Sequence, residues 1–490
     1  MKKYRNLSLL AIGVLLILTT ISLYAEPPDT LWSKCYGGDG DDWAYLGEET
    51  SDGGFIVAGR YYTVGSMGDG YIIKTDANGD TLWTKTYGGY NEDRTITVRQ
   101  TFDGGYIVTG YKTVWHHEVW LLRLDENGDT LWTKAYGGET ADDDGNFVCQ
   151  TADSGFIICG GIRSSGAGNA DAWLLKTDKS GDTLWTKTYG GPELDYGYDV
   201  IQKSDGGYIF IASTESFGAG QGDVWLLRTD ANGDTLWTQL YGHSGDEWAY
   251  TFRETPDNGY IIAGWTNSIG AGDYDFWLVK TDSLGTVEWE RAHGGPYQDC
   301  CSAIDITWDG EYILTGWTYS YGEGADDFWL MKCNTSGDCV WSQTYGGSST
   351  DFPYCVRATA DSGYFMCGGT GSFGNGWDAW LIKTGPDEGI AEYEDFDIST
   401  NLHVYPNPFS KLINISFEVD SRQYAVGSIQ IYDITGRLVK SFDPMPSTPC
   451  SMQLSWDGSD KDGNRLPSGV YILRLTAGER SETKKLLLIK

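Results

Sequence analysis

The sequence is poor in the residues and motifs that most enzymes depend on. Only five histidines occur in 490 residues. His116-His117-Glu118 is their one local cluster, and adjacent loop residues cannot close around a metal without ligands from elsewhere, so it reads as surface. There is no CxxC, no Cys/His metal spacing, no nucleophile elbow and no phosphate-binding loop. Basic residues are scarce: 35 Lys and Arg stand against 69 Asp and Glu, a net charge of −34. Such a charge repels nucleic acid and anionic membranes, and leaves cations, neutral glycans or basic proteins as compatible partners. Long apolar runs are absent after residue 25, so no membrane span is expected once the leader is removed. Helical periodicity is missing from the repeats.

What is present begins with that leader. Lys2, Lys3 and Arg5 precede an apolar run from Leu9 to Leu23, and Ala25 suits the end of a cleaved signal, so residues 1–25 read as a signal peptide, with an uncleaved anchor as the alternative. The first cysteine, Cys35, lies inside a repeat, which argues against a lipid anchor. Aromatics make up 14% of the chain and Gly numbers 66, a composition of short strands and tight turns rather than of disorder.

The stretch Asp76-Ala77-Asn78-Gly79-Asp80-Thr81-Leu82-Trp83-Thr84-Lys85-Thr86-Tyr87-Gly88-Gly89 recurs almost unchanged, its Trp falling at 32, 83, 132, 185, 237, 289 and 341. A second marker opens a strand at Phe55, Tyr106, Phe156, Tyr208, Tyr260, Tyr312 and Tyr364; a third lies at Tyr71, Trp120, Trp173, Trp225, Trp277, Trp329 and Trp380. Each unit holds four strand-like runs, a to d, separated by Gly, Asp and Asn turns. Seven such units over residues 29–386 predict an all-β, seven-bladed β-propeller, with a β-solenoid as runner-up. The first copy of the motif lacks a preceding strand c and the last blade lacks a strand d, so Thr30–Tyr36 should close the ring by pairing with the strand of Trp380. The architecture resembles that of WD-type and kelch propellers, without the Trp-Asp and Gly-His signatures of the former. The repeats are similar to the KTDxNGDTLWTKTYGG repeats of exported bacterial proteins, a resemblance that implies no activity.

Residues 387–400 carry no repeat marker and are rich in acids, as a linker would be. From 401 to 490 a different pattern holds: Val404-Tyr405-Pro406-Asn407-Pro408-Phe409, then Tyr432-Asp433-Ile434-Thr435-Gly436-Arg437, Trp456-Asp457-Gly458, Ser468-Gly469-Val470-Tyr471, and the tail Lys484-Lys485-Leu486-Leu487-Leu488-Ile489-Lys490. Alternating strands and turns give a small immunoglobulin-like β-sandwich. The pattern resembles the type A C-terminal sorting domain of the type IX secretion system, and shares elements with the immunoglobulin-like domain of flagellar hook-capping proteins. The opening and the basic tail favour the sorting domain. That resemblance implies an encounter with the secretion machinery, passage across the outer membrane, and a secreted or cell-surface location.

Candidate site residues fall on the face that carries the variable d–a and b–c loops, since such loops on a rigid scaffold commonly serve recognition. One ring of acids starts strand a: Asp42, Asp93, Asp143, Asp195, Glu247, Asp299 and Asp351. Another starts strand c: Asp69, Glu118, Asp171, Asp223, Asp275, Asp327 and Asp378. They can bind a cation or ligand, or they can accept backbone N–H groups and fix the strand starts. Trp43, Tyr196, Trp248 and Phe352 beside them can stack on sugar rings or pack between blades. The Asp76–Asp80 turn has oxygens at calcium-loop positions but fails the rest of that pattern, and a hairpin with Gly79 left-handed explains it better. Calcium is the one cofactor considered. Thr50–Phe55 is faintly similar to the Asp-box turn of sialidases, which is structural. Two disulfides are expected in an exported chain: Cys333 with Cys339 across the c–d turn of blade six, and Cys355 with Cys367 across the a–b hairpin of blade seven.

These features together point to an exported, non-enzymatic propeller for binding or adhesion, its ligand a glycan, a surface protein or a cation. A propeller hydrolase or lyase acting on glycans through the acidic rings is the competing class, and a passive surface protein the third.

Overall fold

The computed structural model describes residues 27–62, 67–387, 403–405, 407, 409–419, 426–434, 437–442, 450–461, 463–477 and 480–489. The leader (1–25) and residues 388–400 of the acidic linker lie outside the described residues. The chain divides into two compact units, Met1–Ala391 and Glu392–Lys490.

The first unit is a seven-bladed propeller: seven four-stranded antiparallel sheets, each in the order a-b-c-d. Blade one runs Trp43–Glu49, Phe55–Tyr61, Asp69–Thr75 and Thr81–Tyr87. Blade seven takes strands a to c from Asp351–Ala358, Tyr364–Thr370 and Asp378–Thr384 and its strand d from Thr30–Tyr36, so the two ends of the repeat region close the ring. Strand c is covered on both faces by neighbouring blades and is therefore buried at nearly every position, Asp171–Thr177 throughout, with an apolar centre at Ala172–Leu175. Strand d is the outer edge, and its exposure alternates along Thr183–Tyr189. The cores lie between blades: Ile56, Ala58 and Ile72 of one pack with Val98, Val108 and Leu122 of the next.

The repeated motif owes its composition to this seam. The strand-d Trp of each blade meets the aromatic that opens strand b of the next, at 5.6 Å for Trp32–Phe55, 6.0 Å for Trp132–Phe156 and 5.7 Å for Trp185–Tyr208. Two residues on, Lys85, Lys134 and Lys187 reach the last Asp of the next c–d turn, Asp129, Asp182 and Asp234, at 2.5, 2.9 and 2.8 Å. The motif's Tyr donates to the Gly carbonyl of that turn, as in Tyr136 to Gly181 (2.5 Å), Tyr189 to Gly233 (2.6 Å) and Tyr241 to Gly285 (2.7 Å). That turn is the expected hairpin: Gly79 has φ +73°, and Asp76 Oδ1 accepts the N–H groups of Asn78 (2.9 Å) and Asp80 (2.8 Å). The Thr-x-Asp turn between strands a and b is anchored from strand c, where buried Lys74, Lys176 and Lys383 bind Asp52, Asp153 and Asp361 at 3.0, 3.0 and 2.8 Å.

In the second unit a three-stranded sheet (His403–Tyr405, Ile413–Val419, Cys450–Trp456) and a four-stranded one (Leu438–Phe442, Val426–Asp433, Gly469–Ala477, Arg480–Leu488) enclose Phe409, Ile431, Trp456, Tyr471 and Leu486. The opening and closing motifs of this unit bind each other. Asn407 Oδ1 accepts Leu487 N–H and its Nδ2 donates to Lys485 O, both at 2.7 Å, while Phe409 N–H donates to Leu487 O at 2.9 Å.

Gly128 has φ +77°, and a Cβ there would stand 2.8 Å from the Trp83 ring of the preceding blade. Gly128→Ala should cost about 1–3 kcal/mol of stability in chemical denaturation. Gly104→Ala, at φ +89° with open space around it, should cost visibly less. Equal losses would show that the seam contact contributes nothing.

Candidate functional site

Every blade departs from regular pairing at one place. The register between strands a and b slips by one residue, between Ala44 and Leu46 in blade one, Gly197 and Asp199 in blade four, Ala249 and Thr251 in blade five, and equivalently in the other four. A β-bulge leaves one residue unpaired and re-aims its side chain. The seven bulged residues are Tyr45, Ile96, Asn146, Tyr198, Tyr250, Ser302 and Tyr354, and all seven line one central cavity of about 490 Å³. That volume suits a small-molecule ligand. The bulge needs a residue without bulk opposite it: a Cβ at Gly264 would stand 1.8 Å from Trp248 O.

The cavity has an aromatic wall and a charged floor. Tyr45 meets Tyr354 edge-on at 5.3 Å, Tyr198 meets Tyr250 at 5.1 Å, and Phe352 meets Trp317 at 5.8 Å. Beside Tyr250, Ser302 and Trp317 a second cleft of about 310 Å³ opens, lined also by Trp265, Tyr274 and Gln298. Asp199 and Arg357 are the charged residues of the central cavity's lining; outside the lining Arg253 binds Asp199 (3.0 Å) and Asp305 (2.9 Å), and Arg99 binds Glu48 at 2.6 Å. Arg253 and Arg357 outweigh burial and hold Asp305 below its ordinary pKa.

The acids proposed from the sequence lie elsewhere. Those starting strand a are at most 1% exposed, and none lines the cavity. Each accepts loop hydrogen bonds: Asp42 from Gly38 N–H (2.6 Å), Asp93 from Thr113 N–H (2.9 Å), Asp143 from Gly138 N–H (2.8 Å), Asp195 from Gly191 N–H (2.8 Å), Glu247 from His243 N–H (2.7 Å), Asp299 from Gly295 N–H (2.7 Å) and Asp351 from Gly347 N–H (3.0 Å). Strand-c acids tie the b–c loop, as in Asp171 with Ala167 N–H (2.6 Å) and Asp275 with Ala271 N–H (2.7 Å). At the seam the two rings meet around the Gly that ends strand d. A Cβ on Gly346 would stand 1.7 Å from Asp327 Oδ1 and 2.8 Å from Asp351 Oδ2. Burial, reinforced by these facing carboxylates, raises Asp69, Asp171, Asp223 and Asp275 above the ordinary range and takes Asp327 to about 6.

Of the four rim aromatics, Phe352 alone lines the cavity. Trp43 stacks on Trp377 (4.4 Å), Trp248 on Trp265 (6.2 Å), and Tyr196 lies under Arg163 (5.4 Å). His117 stacks on Tyr111 at 3.9 Å and meets Asp144 at 3.1 Å. Among the described residues, no three His, Cys, Asp or Glu side chains gather as metal ligands do.

The two cysteine pairs expected to form bridges lie directly opposite each other, Cys333 with Cys339 and Cys355 with Cys367, and all four stand as thiols in the structure. Cys333 is buried with Sγ 3.9 Å from His293 Nε2, and Cys339 is exposed. In the second pair Cys355 Sγ donates to Gly47 O of the neighbouring blade at 3.4 Å.

The family model of the secretion system C-terminal sorting domain matches residues 403–490. The chain therefore carries a type IX sorting domain, and the protein is secreted or held at the cell surface. No curated protein matches the sequence. Among solved structures, PorZ of the type IX secretion system from Porphyromonas gingivalis aligns with 14% identity and a TM-score of 0.44, over 93% of this chain and 60% of its own. The chain thus spans about 60% of PorZ's length. The β-propeller domain of the Trilobed protease from Pyrococcus furiosus aligns with 9% identity and a TM-score of 0.42, over 73% of this chain and 98% of its own.

The facing carboxylates set a pH dependence. Asp327 has a pKa of about 6 in the folded protein against an ordinary 3.8, so between those pH values the folded protein holds more protons than the unfolded one. Stability then falls as pH rises through that window. The melting temperature should be higher at pH 5 than at pH 7, and Asp327→Asn should raise it at pH 7 and flatten the slope. A variant that keeps the full wild-type slope would contradict this.

Proposed function

We propose that the propeller is a non-enzymatic binding module, secreted or displayed at the cell surface by its sorting domain, that takes a ligand into the central cavity from the variable-loop face. One observation carries the reading: seven β-bulges, one per blade, turn side chains of seven different blades into a single cavity. The scaffold around the bulges barely changes, whereas the bulged residues do, being Tyr, Ile, Asn or Ser. Varied side chains on a constant frame suit recognition. Tyrosines offer flat apolar area with few torsions to freeze, and keep a hydroxyl for polar contact.

The hydrolase alternative rested on the acidic rings. Those carboxylates are committed to loop N–H groups, so binding is the better supported reading.

The test is a screen of the full-length secreted protein against a glycan array and against surface proteins, with product release followed in parallel. Binding without turnover is expected, and Tyr354→Ala with Phe352→Ala should weaken it at least tenfold, about 1.4 kcal/mol. Turnover of a bound glycan would favour the hydrolase. In cells, deleting residues 401–490 should leave the propeller behind the outer membrane, as fractionation would show; unimpaired release would count against the sorting role.

A further inference from the structure

The cavity floor holds two polar groups that the protein leaves incomplete. Asp199 is 2% exposed and lines the cavity; its Oδ2 accepts from Arg253 (3.0 Å) and Thr251 (3.2 Å), but its Oδ1 has no partner. Arg357 is 8% exposed and also lines the cavity. Its Nη1 donates to Val356 O at 3.2 Å, its Nε has no partner, and it forms no ion pair among the described residues. A buried polar atom left unpaired costs free energy, roughly 1–3 kcal/mol or more on a charged group. Both side chains also line a ligand-sized cavity, where a ligand's polar atoms can add the hydrogen bonds that the protein does not make.

Their chemistry restricts the ligand. It must give a hydrogen to Asp199 and a lone pair to Arg357, both of which a sugar hydroxyl can do. It must also present an apolar face to Tyr45, Tyr250, Tyr354 and Phe352, as the C–H face of a pyranose does. Charge decides the rest. The charged residues that line the cavity are Asp199 and Arg357, so its formal charges cancel. A charged ligand would leave one buried charge uncompensated, which is expensive. The net charge of −34 additionally opposes an anion approaching from solution.

We propose that the cavity receives the uncharged end of a glycan, a neutral pyranose bonded by Asp199 and Arg357 and stacked on the bulge tyrosines. This rests on the binding-module reading and names its ligand class. The second cleft, at Trp265 and Tyr274, adjoins the cavity through Tyr250, Ser302 and Trp317, and takes the next sugar of the chain.

The experiment is calorimetric titration of the full-length protein with methyl glycosides of glucose, galactose, mannose and N-acetylglucosamine, alongside glucuronate, galacturonate and glucosamine. At least one neutral glycoside should bind, and its charged counterparts at least tenfold more weakly. Arg357→Met removes the donor and should weaken that glycoside at least tenfold; because it also takes a positive charge from beside Asp305, the melting temperature is measured to check that the titrated variant is folded. Ser302→Trp fills the cavity without touching the floor charges, and should abolish binding. Tighter binding of a uronate or of glucosamine would overturn the inference. So would neutral binding that survives both substitutions, since the sugar would then sit elsewhere. If no glycoside binds while the wider screen finds a protein partner or a charged glycan, the inference fails and the binding-module reading stands. If that screen also finds nothing, both fall.

Discussion

The interaction on which the rest depends is the grip of strand d on the c–d turn of the next blade, made at every seam except that of blades six and seven, where the chain has no c–d turn. It joins three chemistries in one short segment: an indole against a ring and a glycine, a lysine to an aspartate, and a tyrosine hydroxyl to a glycine carbonyl. None is strong singly. The exposed Lys–Asp pairs contribute at most about 1 kcal/mol each by the usual measure of surface ion pairs. The indole and the phenol do more, because they bury apolar area at a seam where a sheet edge would otherwise lie open. At the last seam the same segment, Thr30–Tyr36, is both the clasp and the missing strand of blade seven, so one stretch of chain closes the ring twice over.

A closed ring fixes the inner strands at a set radius, and that is what gives the bulges their effect. In an open sheet a bulge would bend the strand and let the sheet relax. Here the clasp outside and the buried acids at each strand start hold both margins, so the slip is taken up locally, against a glycine on strand b, and its product is a side chain turned inward. The acids and the bulge stand three residues apart in every blade, from Asp42 and Tyr45 to Asp351 and Tyr354. The acids therefore matter to the site without being in it. They set where strand a begins, and strand a's beginning sets which residue is turned.

This relation explains what the sequence did and did not reveal. Spacing of Trp32 through Trp341 was enough for blade number, closure and the hairpin at Gly79, because those features are identical in every blade and repetition makes them visible. The Lys74–Asp52 type of anchor repeats as well, yet a lysine inside an apolar strand reads as an interruption until its partner turn is seen beneath it. The cavity was not legible. Strict alternation along strand a assigns Tyr45 and Tyr354 by period two, and a one-residue slip reverses that assignment. Asp42 and its equivalents stand out in the sequence because they repeat, whereas Tyr198, Asp199 and Arg357 occupy positions that vary between blades and so look like drift. In a repeat protein the positions that fail to repeat inside an otherwise constant strand are the better guide to a site. The cysteines show the opposite case: Cys333 stands opposite Cys339 and Cys355 opposite Cys367, as the hairpin spacing implies.

Charge is distributed with the same division of labour. The carboxylates that give the chain its negative sign stand at turns and seams, where N–H groups or lysines receive them. In the cavity lining one arginine, Arg357, stands against one acid, Asp199, and the local sum is zero although the molecule is strongly acidic. The outer charge repels other copies of the chain, while the cavity presents mainly aromatic and apolar side chains. The ion-pair network beside it is shared unevenly: Arg253 makes ion pairs with two acids at once, whereas Arg357 supports Asp305 through its charge without an ion pair of its own among the described residues. Its guanidinium belongs to the same lining as Tyr354 and Phe352, where the proposed sugar would meet it.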